Sequence, residues 1–554
     1  MTASNSTNSP TLASSLTYTP RPLSFGTSGR RGDVVDLTQL EIYINARAEL
    51  DYLQSLSVTE GGIRRGEDFY YAHDLRPSST CFVAEQGGRG ELAQAIEQAI
   101  RDAGMTPINL GPIPTPALSA YALARGKGGM MVTGSHIPFH RNGYKTNSAI
   151  GELLKSDETP IARYVEQWRT RVYSQPAEQS MFDERGCFKA GSRPCGPIDD
   201  SARREYLERY VCFLGASALT GIRVLVYQHS AVGRDLLVEG LRAIGAEALP
   251  VGRSDTFVPI DTEAIDDTTL EQIRVLAEQA GGDDNRFHAM VSTDGDSDRP
   301  LLIGLSYGAN GRCIAKFFGG DVVGMLVAAQ LHPDAVVVPI SCNDAIDRSA
   351  LAPLLFPKTR IGSPFVIAGM NAACQQGARR ICGWEANGGF LTGSSFCLTH
   401  QPLPALPTRD AFLPIMMVLA QMAATGQAME ALFATLPRRY SRAGLLRNCP
   451  LTVSQRIVAS FASSNGEFLS PALIQHVAHY FGPDAGFGEL DRVDYTDGIR
   501  MYFNNCDVAH LRPSGNADEL RIYAVADSQQ RADDIVEAAI IAPNGILHRL
   551  RDAL

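Results

Sequence analysis

Apolar positions along this chain follow one order that recurs. A short apolar run typical of a buried strand is followed by a stretch with helical spacing, and then by a second apolar run between two glycines. The segments of the first two copies are 81–84, 91–103 and 104–111, and then 224–227, 235–244 and 245–252. Residues 336–340 and 377–383 resemble a third copy. This order predicts βαβ units in mixed or parallel sheets covered by helices.

The repeat predicts three related α/β domains, and the remaining segments predict how they are separated. Residues 175–200, rich in proline and glycine, interrupt the pattern and are interpreted as a linker or insertion. From about residue 448 short strands such as 499–503 and 520–525 follow without the earlier repeat, which indicates a different domain. The predicted units are a disordered tail (1–20), three α/β domains (21–190, 200–310 and 311–440) and a fourth domain (445–554).

Composition narrows the class of protein. The chain has 554 residues, of which 44% are hydrophobic and 20% charged, a balance that predicts several globular domains. Its net charge is -10, and it has no run of Lys or Arg long enough to follow the phosphate backbone of a nucleic acid. Nucleic acid is therefore not an expected partner. No apolar run approaches the roughly 20 residues that span a bilayer. The 11 cysteines include no C-x-x-C pair, which favours reduced thiols and a cytoplasmic location.

The segment 293–299 predicts a magnesium site. Asp294, Asp296 and Asp298 alternate with small residues, so a tight loop can bring three carboxylates to one hard cation. An EF-hand would need Gly and Glu where this chain has Arg299 and Leu305. A solvated acidic turn is the other interpretation, but the apolar flanks favour a loop at the end of a buried strand.

The segment 132–138 offers a nucleophile. Ser135 lies in a turn beside His136, with Lys145 shortly after it. A phosphorylated Ser135 would add an anionic ligand to the predicted cation. An ordinary turn rich in Gly and Pro is the alternative interpretation, and only the companion motifs favour catalysis.

Two further loops predict recognition of a phosphate and of a polyol. Arg512, followed by Ser514, Gly515, Asn516 and Arg521, combines a guanidinium fork with hydroxyl and backbone donors that suit a phosphate dianion. Glu385 and Asn387 lie in the glycine-rich segment 383–389, which suits neighbouring sugar hydroxyls. Ordinary solvated loops are the alternative for both. The motifs of P-loop kinases, zinc proteases and serine hydrolases are missing from the sequence.

These four loops, in this order, resemble those of the α-D-phosphohexomutase superfamily, which includes phosphomannomutases and phosphoglucomutases. Residues 25–32 resemble the opening motif of the family, whose arginine corresponds to Arg31, and residues 73–79 resemble its next signature. The resemblance extends from about residue 25 to residue 553. It implies four domains around a central cleft, three of which share a mixed α/β fold, while the fourth is an α+β domain like the TATA-binding protein.

The resemblance also implies an activity. The amino-acid sequences of residues 383–389 and 512–516 are most similar to the corresponding segments of long bacterial phosphomannomutases. We therefore expect an isomerase, an intramolecular phosphotransferase that interconverts mannose 1-phosphate and mannose 6-phosphate through phospho-Ser135. A hexose 1,6-bisphosphate is the expected intermediate and activator, and a small phosphosugar is the expected partner, with neither nucleic acid nor membrane.

Residue roles follow from the same resemblance. The implied metal ligands of Mg²⁺ are Ser135, Asp294, Asp296 and Asp298. The implied catalytic residues are Ser135 as phosphoryl carrier, Lys145 as general base, and His136, Arg31 and Arg299 in support. The implied substrate-binding residues are Glu385 and Asn387 for the sugar, and Arg512, Ser514, Gly515, Asn516 and Arg521 for the phosphate that does not react.

The chain departs from the family pattern at three positions. Gly389 and Ser363 stand where relatives often carry histidine, and Ile137 stands where asparagine is frequent. Two alternatives to a phosphomannomutase therefore stay open: a phosphoglucomutase or enzyme of dual specificity, and a non-catalytic regulatory protein that binds phosphosugars. The sequence leaves open the preferred sugar, the oligomeric state and whether Ser135 is phosphorylated in the isolated protein.

Overall fold

The computed structural model describes residues 10–26, 28–263, 265–281, 286–308, 312–462, 469–514 and 518–554. Four sheets of four to six strands, with helices packed on them, follow one another along these residues. The predicted mixed α/β fold is confirmed. No helix in the described ranges is both long enough and apolar enough to cross a membrane.

The first sheet is mixed. Its strands are β1 Arg30–Asp33, β2 Asp68–His73, β5 Thr106–Pro112, β6 Gly129–Val132, β7 Arg141–Ser148 and β8 Gly151–Glu152, and β3 Phe82–Val83 and β4 Arg89–Gly90 form a separate pair. The helices of this region are α1 Leu12–Ser15, α2 Gln39–Ser55, α3 Pro77–Thr80, α4 Leu92–Asp102, α5 Thr115–Ala124 and α6 Glu158–Tyr173. The strand order is β1-β7-β6-β2-β5, in which β5, β2 and β6 are parallel and β7 is antiparallel to β6.

The second and third sheets repeat this plan of parallel strands with an antiparallel extension. The second has the order β10-β9-β11-β12-β13, with β9 Arg223–His229, β10 Glu247–Arg253, β11 Ala289–Thr293, β12 Pro300–Tyr307 and β13 Cys313–Phe318. Its helices are α7 Ser201–Leu214, α8 Arg234–Ala243 and α9 Asp267–Ala280. The third runs β14 Ala335–Val337, β15 Ile381–Trp384, β16 Phe390–Thr392 and β17 Leu406–Asp410. It is accompanied by α10 Gly320–Leu331, α11 Ser363–Gln375, α12 Phe412–Thr425 and α13 Met429–Phe433.

The C-terminal sheet differs because all its pairings are antiparallel. Its order is β18-β22-β21-β20-β19, with β18 Tyr440–Arg447, β19 Leu490–Asp494, β20 Ile499–Phe503, β21 Val508–Pro513 and β22 Glu519–Ala526. Its helices are α14 Leu451–Ser460, α15 Pro471–Tyr480, α16 Gln529–Ile540 and α17 Ile546–Asp552. One apolar cluster joins residues between 70 and 432 from the first three sheets, whereas residues between 446 and 550 form a cluster of their own. The domain limits predicted from the sequence stay a prediction.

Two expectations about the N-terminal region are wrong. Residues 81–84 do not form a strand of the main sheet, because only Phe82 and Val83 pair with another two-residue strand and Phe82 is 39% exposed. The strand that precedes α4 in the main sheet is β2, whose aromatic residues are buried. Of the tail predicted over residues 1–20, residues 1–9 lie outside the described residues, and residues 10–20 are not disordered, because Leu12 is fully buried and its N–H donates to the carbonyl of Gln175.

Candidate active site

Three loops occupy the same position in the first three sheets. Residues 133–140, the Ser135 loop, join β6 to β7; residues 294–299, the aspartate loop, join β11 to β12; and residues 385–389, the Glu385 loop, join β15 to β16. In each case the first strand pairs with a parallel neighbour and the second returns antiparallel to it. Ligand sites form at the carboxyl ends of parallel strands, so this position is suited to binding.

Ser135 is held in an unusual backbone conformation at the centre of the site. Its φ is 55°, in the left-handed region, and its side chain is fully buried. Its hydroxyl donates to Asp294 Oδ2 at 2.7 Å, and its N–H donates to the Thr133 hydroxyl at 2.7 Å. Non-glycine residues in this region of φ are uncommon and cluster at functional sites.

The backbone of the Ser135 loop is held from behind by two charged residues. The fully buried guanidinium of Arg76 donates to the carbonyls of Ser135 and Pro138 at 3.0 and 2.9 Å, and also to those of Ile137 and Arg141. Asp74 accepts hydrogen bonds from the Thr133 hydroxyl and the Gly134 N–H. Both belong to the segment 73–79, whose position behind the nucleophile loop the sequence analysis did not foresee.

The three aspartates of the aspartate loop converge as their spacing predicted. Their carboxylates are buried, and one oxygen from each lies within 4.8 Å of the others. Burial and the neighbouring carboxylates of Asp296 and Asp298 raise the pKa of Asp294 to about 8. Burial also opposes the charge of Asp298, but Arg409, Lys145 and Arg299 outweigh it and hold the pKa of Asp298 well below its usual range.

These carboxylates fit a hard divalent cation. Asp296 Oδ1 and Asp298 Oδ1 are both buried without a hydrogen-bond partner in the described part of the chain. A buried carboxylate oxygen without a partner is costly, and a cation would remove that cost. Three carboxylates at close range are the oxygen donors that Mg²⁺ takes in proteins.

Positive side chains surround the aspartates. The ammonium of Lys145, on β7, donates to Asp296 Oδ2 at 2.7 Å and to Asp298 Oδ2 at 2.6 Å. Arg299 Nε lies 3.7 Å from Asp298 Oδ1. Burial, and then the nearby guanidinium of Arg299, lower the pKa of Arg31 to about 10. The site therefore sets three cations against three carboxylates, and a bound divalent cation would add the excess positive charge that a phosphate dianion needs.

His136 faces the same group of cations. Its Nδ1 lies 3.4 Å from Ser135 Oγ. Burial, followed by the charges of Arg299 and Arg31, lowers the pKa of His136 well below 6.5, and Arg521 acts in the same direction. The imidazole is therefore neutral at pH 7.

The Glu385 loop meets the aspartate loop through a residue that the sequence analysis missed. Glu385 and Asn387 are buried, and Asn387 Oδ1 accepts a hydrogen bond from the Gly389 N–H at 3.0 Å. Arg409, at the end of β17, donates to Glu385 Oε2 at 3.0 Å and to Asp298 Oδ2 at 2.8 Å. Thr115, at the start of α5, was also missed, and its hydroxyl donates to Asp296 Oδ2 at 2.6 Å. The signal available in the sequence for Arg409 was a charged pair, Arg409 and Asp410, directly before the long apolar run of residues 411–420.

The predicted phosphate loop joins β21 to β22. Gly515 and Asn516 lie outside the described residues. Arg512 forms an ion pair of 3.2 Å with Asp497, and the Ser514 N–H donates to the Glu519 carbonyl. Arg521 lies 3.8 Å from Glu263 of the second sheet region. Arg521 thereby places the C-terminal sheet next to the second sheet region.

Comparisons with known proteins agree with this geometry. Three family models match the chain, all described as phosphoglucomutase/phosphomannomutase: alpha/beta/alpha domain I over residues 22–171, alpha/beta/alpha domain III over 319–440, and the C-terminal domain over 448–542. A phosphomannomutase of Sinorhizobium fredii is 33% identical over 520 residues, which cover 94% of this chain and 98% of that protein. A phosphomannomutase of Salmonella muenchen is 34% identical over 524 residues, which cover 94% and 95%.

Solved structures support the fold. The crystal structure of a putative phosphomannomutase from Thermus thermophilus superimposes with a TM-score of 0.63. It covers 94% of this chain and 98% of its own, and the two sequences are 20% identical. At that identity the likeness is one of fold alone.

Proposed function

The chain belongs to the phosphoglucomutase/phosphomannomutase family; it is a phosphohexomutase, and we propose that it interconverts mannose 1-phosphate and mannose 6-phosphate. The observation that carries the mechanism is the 2.7 Å hydrogen bond from Ser135 Oγ to Asp294 Oδ2, which places a nucleophile beside three carboxylates. The two curated relatives named as phosphomannomutases favour mannose.

The reaction is a phosphoryl transfer from phospho-Ser135 to the free 1- or 6-hydroxyl of the bound sugar phosphate. The bond between Ser135 Oγ and phosphorus breaks, and a bond between phosphorus and the sugar oxygen forms. The sugar hydroxyl loses its proton and Ser135 Oγ gains one. The product is a hexose 1,6-bisphosphate, which turns around and returns its other phosphoryl group to Ser135, so one site serves both half-reactions.

Charge neutralisation is the main task of the protein, since the transition state spreads negative charge over the equatorial oxygens. Asp294, Asp296 and Asp298 would hold Mg²⁺ together with the Ser135 oxygen. When bound, Mg²⁺ supplies positive charge to the phosphoryl oxygens. Arg31 and Arg299 add the remaining positive charge.

Proton transfer involves Lys145 and His136. Lys145 is the proposed general base for the sugar hydroxyl. Its nitrogen donates to Asp296 and Asp298, so it takes up that proton only after passing one of its own protons to the Asp296 carboxylate. Neutral His136, 3.4 Å from Ser135 Oγ, is placed to hold a proton at that oxygen. Reach to the reacting oxygen is the first requirement of acid and base catalysis; His136 meets it at Ser135 Oγ, and Lys145 lies beside the aspartates of the same site.

Substrate recognition is assigned to the two remaining loops. Glu385 and Asn387 bind the sugar hydroxyls, and the bisphosphate reorients between them and the C-terminal sheet. The phosphate that does not react is held by Arg512, Ser514, Gly515, Asn516 and Arg521. Movement of the C-terminal sheet that separates Arg521 from Glu263 would admit the sugar, and its return would enclose the sugar and exclude water from the phosphoserine.

The experiment is a turnover assay with mannose 1-phosphate and, separately, glucose 1-phosphate, with Mg²⁺ and a hexose 1,6-bisphosphate. The wild type should convert mannose 1-phosphate faster, and Ser135→Ala should lower turnover by about 10³-fold or more, because the carrier oxygen is lost. Ser180→Ala is the matched control, since Ser180 is buried in the same region and its hydroxyl accepts only a local N–H bond from Phe182 among the described contacts.

Each result discriminates between the open alternatives. Faster conversion of glucose 1-phosphate would replace the mannose assignment with a phosphoglucomutase. Binding of both sugars without turnover would instead support a regulatory protein.

A further inference from the structure

Arg409 is a buried cation that the mechanism above does not use. Its side chain is 3% exposed. Nη1 donates to Glu385 Oε2 at 3.0 Å, while Nε and Nη2 both donate to Asp298 Oδ2, at 3.1 and 2.8 Å. A single guanidinium therefore joins the Glu385 loop to the aspartate loop, with each of its nitrogens bonded to a carboxylate.

The same guanidinium is tied to the first sheet. Arg409 Nη1 also lies 3.2 Å from the Ser363 hydroxyl, which donates to Glu152 Oε2 at 2.7 Å. Glu152 belongs to β8 and also accepts a hydrogen bond from the Thr408 hydroxyl. Residues of the first three sheet regions thus meet at Arg409, so its position depends on how those regions are packed.

Gly389 leaves the space that Arg409 occupies. A Cβ atom on Gly389 would lie 2.5 Å from Arg409 Cδ and 2.6 Å from Cγ, which is closer than carbon atoms approach without displacement. Gly389 and Ser363 are two of the positions at which this chain departs from the family pattern, and both lie against Arg409. Gly389 and Ser363 therefore both contribute to the surroundings of the Arg409 side chain.

The pairing of Arg409 with Glu385 and Asp298 requires a full set of hydrogen-bond partners for a buried charge. A buried guanidinium is tolerated only when its donors are satisfied, and removing one partner of a buried ion pair leaves the other charge uncompensated. Arginine can join two carboxylates because its donors form a planar fork, whereas lysine offers one nitrogen. Loss of Arg409 would leave Glu385 and Asp298 with less opposing charge and without a fixed distance between them.

We propose that Arg409 is a positioning residue for the reaction, which holds the Glu385 carboxylate for the sugar hydroxyls and the Asp298 carboxylate for the cation, and that Gly389 is required for its placement. The inference rests on the proposed function, because it takes Glu385 as the carboxylate that binds the sugar. Arg409 acts through Glu385 and Asp298 and needs no contact with the substrate.

The test is a double-mutant cycle on the binding of mannose 6-phosphate, measured by calorimetry in metal-free buffer. Arg409→Met and Glu385→Gln should each weaken binding about tenfold, and the double variant should lose about tenfold rather than about a hundredfold, because the two residues act as one unit. Arg409→Lys should restore only part of the loss. In turnover assays Arg409→Met should raise KM as well as lower kcat.

A second cycle serves as control. Arg531→Met and Asp507→Asn remove an ion pair of 2.7 Å within the C-terminal sheet region, and each should leave affinity within about twofold of wild type. Wild-type affinity for Arg409→Met, or additive losses in the double variant, would overturn the positioning role while leaving the proposed function in place. Failure of the wild type to bind either mannose or glucose 6-phosphate would overturn the proposed function and, with it, the sugar-binding role of Glu385.

Discussion

The Ser135 hydroxyl donates a hydrogen bond of 2.7 Å to the carboxylate of Asp294, although the two residues are 159 positions apart in the chain. Ser135 follows β6 of the first sheet and Asp294 follows β11 of the second. Each residue occupies the turn at which a strand with a parallel neighbour gives way to an antiparallel strand. The proposed nucleophile and the candidate metal site thus lie at equivalent turns of two related sheets.

Asp294→Asn should lower turnover by about 10²-fold or more, because it removes one of three carboxylates that hold the cation. The same variant should bind Mn²⁺ at least about tenfold more weakly, measured by electron paramagnetic resonance without sugar. Asp235→Asn is the control, since Asp235 forms an exposed ion pair with Arg253 in the same sheet region. Unchanged Mn²⁺ binding in Asp294→Asn would remove this residue from the metal site.

Arg76→Lys should loosen the Ser135 loop. The guanidinium of Arg76 donates to three carbonyls of that loop and to the carbonyl of Arg141 at the start of β7, which one ammonium group cannot reach together. We expect a loss of about 2–4 kcal/mol in the free energy of unfolding and a fall in kcat of about tenfold or more. Arg64→Lys is the control, because Arg64 also donates to backbone carbonyls but lies outside the site. A stable variant with wild-type kcat would show that Arg76 does not position Ser135.

Gly389→Ala should disturb Arg409 without removing any charged group. The added Cβ would meet the Arg409 side chain at 2.5 Å, so a strained core is expected to cost about 1–3 kcal/mol in the free energy of unfolding. Turnover should fall together with stability. Gly196→Ala is the control, since a Cβ there would meet no atom within 4 Å. Wild-type kinetics in Gly389→Ala would show that the site tolerates a displaced Arg409.

His510→Gln should alter the response of stability to acid. His510 is fully buried, its Nε2 pairs with the Asp497 carbonyl at 2.6 Å, and burial and the charge of Arg500 lower its pKa to about 3. The unfolded chain binds a proton near pH 6.5 and the folded chain does not, so this residue removes stability as pH falls from about 6.5 towards 3.

Glutamine can donate to the same carbonyl and does not titrate. The unfolding midpoint of His510→Gln, measured relative to wild type, should therefore rise as pH falls, by an amount that corresponds to about 3 kcal/mol at pH 4. His479→Gln is the control, because it makes the same replacement at an exposed histidine on α15 and leaves the buried His510 in place. A constant difference between wild type and His510→Gln from pH 7 to pH 4 would contradict the prediction.

Leu12→Ala tests the attachment of the N-terminal segment. Leu12 is fully buried in the apolar cluster of the first sheet region, so the cavity should cost about 2–4 kcal/mol in the free energy of unfolding. Leu451→Ala, at a leucine that is 42% exposed, should cost less than about 1 kcal/mol. Chemical denaturation would measure both. Equal stability of Leu12→Ala and wild type would support the disordered tail that the sequence predicted.

Features that depend on residues close together in the chain were predictable from the sequence. The alternation of Asp294, Asp296 and Asp298 with small residues already places three carboxylates on one tight loop, and its apolar flanks are the hairpin strands β11 and β12. The second copy of the repeat was located almost to the residue, because β9 is a buried strand with a continuous apolar run and α8 has helical spacing. Gly245 and Gly252 lie near the two ends of the more exposed edge strand β10. Local periodicity is a property of the sequence itself.

The tertiary structure alone decided which distant residues meet. The apolar run at residues 81–84 does not reveal in its sequence whether another element will cover it. Among the described residues, no strand of the main sheet pairs with this run. Leu12 is ordered because the core of the first sheet region covers it. Arg409 is paired with Glu385 of the Glu385 loop and with Asp298 of the aspartate loop, and both loops are distant from it in sequence. A buried charge is stabilised by the groups that the fold brings against it, and those groups leave no periodic signal in the chain.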